Sequence, residues 1–159
     1  MSTRILSHFS DRPLKFNPNK KYKAVPDFFK PMGLWLSDET AGQDSWRSWC
    51  EGEQWGLDRL KHETLFECDT RDWIVLPNFE SLLDFSKEYS TKERFSMLSL
   101  DWHRVSQDFK GILITPYHWK ARFHPKTNWY YPWDCASACV WDLSTVKALP
   151  NAEQERESK

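Results

Sequence analysis

The sequence lacks any apolar run that approaches the roughly 18 residues of a membrane-spanning helix, and its first residues, MSTRILSHFS, lack the apolar centre of a secretion signal. It also lacks an excess of either charge, since 22 Lys and Arg stand against 23 Asp and Glu. A balanced charge gives no overall attraction to nucleic acid or to anionic lipid. We therefore expect a cytoplasmic protein that is neither inserted in a membrane nor secreted.

Several common catalytic signatures are absent as well. The sequence contains no GxGxxG, no Walker phosphate loop, no HExxH and no GxSxG. These motifs mark dinucleotide-binding folds, P-loop enzymes, zinc proteases and serine hydrolases. Their absence removes direct sequence support for any of those four classes.

Cysteine is scarce, with four residues at positions 50, 68, 135 and 139. In a reducing compartment we expect free thiols and no disulfides. Cys135 and Cys139 have a spacing that some zinc sites use, and His118 and His124 lie upstream. Cys139, however, falls in an apolar segment and is typical of a small buried residue. We therefore predict no metal site, with zinc as the alternative.

Aromatic residues are abundant: the 159 residues include ten Trp, ten Phe and five Tyr. Large rings bury much area per side chain, so one small domain can build its core from them. The N–H group of Trp also needs a hydrogen-bond partner, so some rings should line a cleft or an interface. We expect most of the tryptophans in the core and a few on a recognition surface.

The local pattern predicts short strands and helices in irregular alternation. Apolar segments bounded by Gly, Pro or polar residues predict strands at 4–9, 33–37, 73–76, 109–115 and 137–143. Helical spacing predicts helices at 44–51 and 78–90, 57–67 and 97–107 stay ambiguous, and 144–149 fits a short helix or a turn. The prediction is a single α+β domain over residues 1–149, followed by a disordered polar tail at 150–159.

Charge is distributed unevenly along the chain. Residues 1–30 carry seven Lys or Arg and two Asp, whereas residues 38–72 carry ten Asp or Glu and four Lys or Arg. The stretch 10–31 holds several prolines and has no helical periodicity, which predicts a basic loop. Such a loop could bind a pyrophosphate or an acidic target, or simply be solvated.

Four short segments, in order, resemble the core strands of the ADP-ribosyltransferase superfamily, which cleaves NAD on a small split β-sheet. Residues 4–10 (RILSHFS) resemble its first strand, where a His meets the nicotinamide-side ribose. Residues 33–37 (GLWLS) resemble the Gly-led second strand, and 108–112 (DFKGI) resemble a late strand. Residues 137–142 (SACVWD) are similar to the closing strand, which usually begins with Glu.

This resemblance implies an ADP-ribosyltransferase-like fold that binds NAD and transfers ADP-ribose to a macromolecule, or hydrolyses NAD, as a phage- or toxin-type effector would. Residues expected to bind NAD are Arg4, His8, Ser10, Trp35, Ser37 and Trp46. The expected catalytic residues are His8, Asp134 and Ser137. Ser137 stands where the family has Glu, so Asp134 is the nearby carboxylate that could stabilise positive charge on the sugar.

A different class of function also fits the sequence. A non-catalytic binding module could use exposed aromatic rings and the basic loop to engage nucleic acid or a host protein. Bases would stack on Trp and Lys would contact phosphates. The basic loop and the ring-rich stretch 117–133 are far apart in the sequence, and the sequence alone leaves open whether they share a face.

Overall fold

A seven-stranded mixed β-sheet forms the centre of the protein in its computed structural model, which describes residues 2–23, 28–94 and 97–150. The strands of this sheet are β1 (Thr3–Ser10), β2 (Leu34–Ser37), β3 (His62–Asp69), β4 (Ile74–Leu76), β7 (Gly111–Ile114), β8 (Ser137–Val140) and β9 (Val146–Ala148). A separate hairpin consists of β5 (Ser90–Arg94) and β6 (Met97–Leu100). The described residues also form the helices α1 (Trp46–Glu53), α2 (Phe79–Tyr89) and α3 (Trp102–Asp108).

The strand order in the large sheet is β4-β7-β8-β2-β1-β3-β9. Only β4 and β7 run parallel, and every other neighbouring pair is antiparallel. The predicted single domain of mixed α and β structure is confirmed. None of the helices in the described part of the chain is long and apolar enough to cross a membrane.

Helix α2 shows why the local sequence signals were reliable there. The Asn78 side chain accepts a hydrogen bond from the Ser81 backbone N–H at 2.8 Å, and the Ser81 hydroxyl lies 3.3 Å from the Asn78 backbone nitrogen. This reciprocal capping box satisfies two N–H groups that a helix start leaves free. Leu82, Phe85 and Tyr89 then follow at helical spacing and are buried.

The two faces of the sheet carry separate hydrophobic cores. On one face, residues of α2 and α3 pack with Ile112, Ile114 and Cys139 and with three buried tryptophans, Trp102, Trp129 and Trp133. On the other face, Leu6, Leu36 and Phe66 pack with Leu143 and Val146. Four of the ten tryptophans are buried in these cores, fewer than expected, and Trp35 and Trp141 are partly buried against the first core.

The pairing of β1 with its two neighbours is unequal. Strand β1 pairs with β3 along all eight of its residues but with β2 at a single position, Ser7 opposite Ser37. Strand β2 pairs with β8 at four positions. Beyond Ser7, β1 therefore leaves β2, and the sheet forks between these two strands.

The structure corrects several element boundaries. Residues predicted as a short helix or turn at 144–149 instead form a 3-10 turn at Leu143–Thr145 and then β9, which pairs with β3. The ambiguous stretches resolve as a 3-10 turn (Leu57–Leu60) followed by β3, and as β6 followed by α3. The strand predicted at 137–143 ends at Val140. The tail predicted to be disordered lies, from residue 151 onward, outside the described residues.

Candidate functional site

A cleft of about 460 Å³ opens at the fork between β1 and β2. Its lining includes His8 and Phe9, which follow the paired Ser7 in β1, and Trp35 and Leu36, which precede the paired Ser37 in β2. Five tryptophans contribute to its walls: Trp35, Trp46, Trp49, Trp55 and Trp133. The remaining polar lining comprises Ser7, Lys30, Ser37, Arg59, Asp134, Cys135 and Ser137.

The tautomer of His8 is fixed by the chain itself. Its Nδ1 lies 3.0 Å from the backbone carbonyl oxygen of Trp35. A carbonyl can only accept, so Nδ1 carries the proton and donates it. In the neutral ring, Nε2 is then an acceptor, and no described residue hydrogen-bonds to it. His8 therefore presents an acceptor suited to a ligand hydroxyl, with its ring held across the fork.

Ser37 holds helix α1 against the end of β2. Its hydroxyl donates to Glu39 Oε2 at 2.6 Å and accepts from the Trp46 backbone N–H at 3.0 Å. The hydroxyl uses its one donor and one of its acceptor positions, and the side chain is buried. Ser37 thus places the start of α1, and with it Trp46, on the cleft wall; its hydroxyl is not free to act as a nucleophile.

Three serines form a row across the middle of the sheet, because Ser7 pairs with Ser37 and Ser37 pairs with Ser137. The Ser7 hydroxyl donates to Glu63 Oε1 at 2.7 Å. The Ser137 hydroxyl donates to the Cys135 backbone carbonyl at 3.1 Å. Ser137 lines the cleft, but its hydroxyl donates its hydrogen bond within the loop that precedes β8.

Asp134 and Lys30 place an acidic and a basic side chain in the same cleft. Neither makes a hydrogen bond or an ion pair within 4.0 Å to any described residue, although the Lys30 ammonium lies 5.4 Å from the centre of the Trp35 ring. Burial raises the pKa of Asp134, against the lowering effect of Lys30 and Arg122. Burial likewise lowers the pKa of Lys30, against the raising effect of Asp134.

The tryptophans at the cleft mouth form a rigid cluster. Trp46 and Trp49, one helical turn apart in α1, stack with ring centres 5.2 Å apart and planes 7° from parallel. Trp55 meets both rings edge-on, and the Arg59 guanidinium covers its outer face at 5.2 Å. Trp46 was expected here, whereas Trp49, Trp55 and Arg59 were not singled out by the sequence as site residues.

A second set of residues behind the cleft was not anticipated. The Arg47 guanidinium of α1 lies within 4.0 Å of carboxylate oxygens of Glu39, Glu51 and Glu63. Two of these carboxylates accept the hydroxyl protons of Ser37 and Ser7. Arg47 therefore links α1 to the 3-10 turn Glu39–Asp44 after β2 and to β3, and the acidic stretch 38–72 supplies the anions that neutralise it.

Two predicted binding residues lie outside the cleft lining. Arg4 forms an ion pair with Asp38 at 3.7 Å, and Asp38 also accepts a hydrogen bond from Thr115 at 2.7 Å. The Ser10 hydroxyl donates to the Arg12 backbone carbonyl at 2.6 Å. The structure brings together His8, Trp35, Ser37, Trp46, Asp134 and Ser137, and leaves Arg4 and Ser10 apart from them.

The cysteines are positioned as buried thiols. Cys139 lies in the sheet among core side chains, and burial raises its pKa well above the ordinary value. Within residues 2–23, 28–94 and 97–150, no group of three or more His, Cys, Asp or Glu side chains is arranged to hold a metal ion.

The charges and rings of the cleft define what it can bind. The Trp faces can stack on a planar ring, Lys30 can contact a phosphate, and the His8 Nε2 can accept from a sugar hydroxyl. Asp134 supplies a carboxylate that can stabilise positive charge. No protein-family model matches this chain, and no curated protein or solved structure does so either.

Proposed function

We propose that this protein binds NAD in the cleft and transfers its ADP-ribose group to a macromolecular acceptor or to water. The observation that supports the proposal is the convergence of β1, β2 and β8 on one cleft. Those strands come from three of the four segments that resemble the ADP-ribosyltransferase superfamily. They bring His8, Ser37 and Ser137 to a single cleft, with Asp134 beside β8.

In this proposal each side chain has a separate task. The nicotinamide ring stacks on a Trp of the cleft wall, and a hydroxyl of the attached ribose donates to His8 Nε2. Lys30, whose ammonium has no carboxylate partner within 4.0 Å among the described residues, contacts the pyrophosphate. The departure of this chain from the family at Ser137 leaves Asp134 as the carboxylate nearest the reacting sugar.

The chemical step breaks the glycosidic C–N bond between ribose and nicotinamide. The bonding electron pair leaves with nicotinamide, which becomes neutral, and a lone pair of the acceptor forms the new bond to the same ribose carbon. Asp134 stabilises the positive charge that develops on the sugar and takes the proton that the acceptor loses. Ser137 supports the loop that carries Asp134 through its bond to the Cys135 carbonyl.

The test is a titration with NAD, followed by tryptophan fluorescence and by chromatographic detection of nicotinamide. We expect NAD to quench the fluorescence, because five tryptophans line the cleft. His8→Ala and Lys30→Met should each raise the Kd for NAD, measured by the quenching, about tenfold or more. This is the loss expected for a hydrogen bond to a charged or positioned group. His103→Ala, which changes an exposed histidine of α3, is the matched control and should bind as the native chain does.

Asp134→Asn separates binding from catalysis. It should keep NAD binding and lower the rate of nicotinamide release about 100-fold or more, as the loss of a charge-stabilising group does. Asp58→Asn, at an exposed position outside the cleft lining, should leave the rate unchanged. Absence of quenching and of nicotinamide release, or a release rate that Asp134→Asn does not change, would contradict the proposal.

A further inference from the structure

An exposed cluster of three aromatic rings surrounds one arginine on the surface beside the cleft. We call it the aromatic platform, and it consists of Trp119, Arg122, Phe123 and Tyr131. The exposed fractions of the three rings are 55%, 75% and 46% for Trp119, Phe123 and Tyr131. Grouped exposure of large rings is unusual for a surface without a partner.

The Arg122 guanidinium is held by aromatic rings and has no carboxylate within 4.0 Å among the described residues. Its guanidinium carbon lies 4.8 Å from the ring centre of Tyr131, 5.4 Å from that of Trp119 and 5.7 Å from that of Phe123. The buried Nε of Arg122 has no hydrogen-bond partner among the described residues. A planar guanidinium held between exposed rings is suited to a phosphate.

The composition around the platform favours one kind of partner. Residues 116–133 contain Lys120, Arg122 and Lys126, no Asp or Glu, and no Val, Leu, Ile or Met. Base stacking needs ring faces, and positive charge beside them without an acidic residue in the same segment is complementary to a phosphate backbone. The bases of a duplex are already stacked on one another, so exposed rings of this kind suit unpaired bases.

We propose that the aromatic platform binds single-stranded nucleic acid. Bases stack on the exposed faces of Phe123 and Trp119, and a backbone phosphate contacts Arg122. The Trp119 ring is already oriented, because its Nε1 donates to Asp44 Oδ1 at 3.1 Å and its face meets Tyr117 edge-on. Lys120 and Lys126 add positive charge along the path of the strand.

The platform adjoins the cleft through Asp44. The same residue that fixes Trp119 accepts, at its backbone carbonyl, the N–H of Ala136 at 2.8 Å, and Ala136 lies between the cleft residues Cys135 and Ser137. The platform therefore adjoins the loop 134–136, and this loop lies near a bound strand. The strand's role as the acceptor of ADP-ribose rests on the proposed function, whereas its binding to the platform does not.

Binding is measured without NAD, by fluorescence anisotropy of a labelled single strand of about 12 nucleotides, as DNA and as RNA, with a DNA duplex for comparison. Phe123→Ala should weaken binding of the single strands about tenfold, the cost of losing one stacked base. Arg122→Ala should weaken it and reduce the slope of log affinity against log salt by about 0.7, since one phosphate contact is lost.

Two matched controls separate the platform from general surface effects. Leu65→Ala removes an exposed apolar side chain from β3, and Arg71→Ala removes a guanidinium already paired with Asp69. Both should bind the strands as the native chain does. Phe123 is so exposed that its variant should fold normally, which circular dichroism checks directly.

The outcomes distinguish this inference from the proposed function. Native-like affinity in Phe123→Ala and Arg122→Ala, or equal affinity for duplex and single strand, would overturn the platform assignment even if NAD is cleaved. Platform-dependent strand binding without nicotinamide release would support the platform and overturn the proposed function. Incorporation of label from radioactive NAD into the strand, lost in Phe123→Ala, would identify the strand as the acceptor.

Discussion

Two aspartates near the end of the chain, Asp134 and Asp142, occupy opposite environments. Burial raises the pKa of Asp134 in the cleft. Hydrogen bonds from Ser144, from its hydroxyl at 2.6 Å and its backbone N–H at 3.1 Å, lower the pKa of Asp142. The fold therefore disfavours the charge on Asp134 and favours the charge on Asp142. A carboxylate held at a cost to stability is typical of a functional position.

Neutralising the two aspartates should have opposite effects on the free energy of unfolding. At pH 7, Asp134→Asn should raise it and Asp142→Asn should lower it, each by on the order of 0.5 kcal/mol. The stability supplied by Asp142 is present above the ordinary pKa of 3.8 and is lost as pH falls through its lowered folded value. For Asp134 the sign reverses: the penalty is present above its raised pKa and disappears as pH falls through it.

Urea unfolding of the native chain and of both variants at neutral and at acidic pH measures these differences. The stability gap between Asp134→Asn and the native chain should close as Asp134 becomes protonated. A destabilised Asp134→Asn at pH 7 would show that the fold favours the Asp134 charge, contrary to its placement in the cleft.

At the scale of elements, Gly33, which precedes β2, allows the chain to lie very close to β8. A Cβ at this position would lie 2.6 Å from the Val140 carbonyl oxygen and 2.7 Å from the Cys139 sulfur, both closer than atoms tolerate. A Cβ on Gly52 in α1, by contrast, would meet nothing within 4 Å. The sequence marked Gly33 as the start of a strand, but the reason for glycine there is the neighbouring strand 106 residues later.

These two glycines give a matched pair of substitutions. Gly33→Ala should lower the free energy of unfolding by about 1–3 kcal/mol, because β2 or β8 must shift to admit the methyl group. Gly52→Ala should raise it by about 0.5–1 kcal/mol, since alanine favours the helix and the site is open. Denaturant unfolding gives both values, and a Gly33→Ala as stable as the native chain would contradict the close approach of the strands.

Elements with complete local signals were predictable, and those without them were not. Helix α2 has its capping box and apolar spacing, and β7 is a continuous apolar run buried on both faces. Strand β3 alternates the exposed Leu65 and Glu67 with the buried Phe66 and Cys68, and β9 has only three residues. What stabilises β9 is its pairing with β3, a partner almost 80 residues earlier that no local pattern identifies.

Across the whole molecule, all four cysteines are free and buried. Burial raises the pKa of Cys50 to about 11 and the pKa values of Cys68 and Cys135 to about 12. Thiolate is the reactive form, so these thiols are protected twice, by lack of access and by protonation. The reactivity of these thiols therefore measures whether both cores and the cleft wall stay closed.

We expect the folded protein at a pH of about 8 to react slowly with a thiol-specific disulfide reagent, and all four cysteines to react at once in denaturant. The rate of reaction should follow global or local opening, since the sulfur atoms are covered in the native state. A thiol that reacts in the native protein as fast as free cysteine would contradict the packing of the sheet.

The sequence by itself determined the class of fold, the positions of the strongest strands and helices, and the use of tryptophan in the core, because period, capping and burial are encoded within a few residues. It also predicted one cleft for His8 and Ser37, through the resemblance of their segments, and for Asp134 as the carboxylate near Ser137, and the three residues line one cleft. Only the tertiary structure decided that β1 departs from β2 after one paired position, which opens the cleft. The same long-range packing brought Lys30, Arg59 and Arg47 to the site and gathered three rings around Arg122. Such contacts depend on which distant strands and loops meet, and no local pattern specifies that meeting.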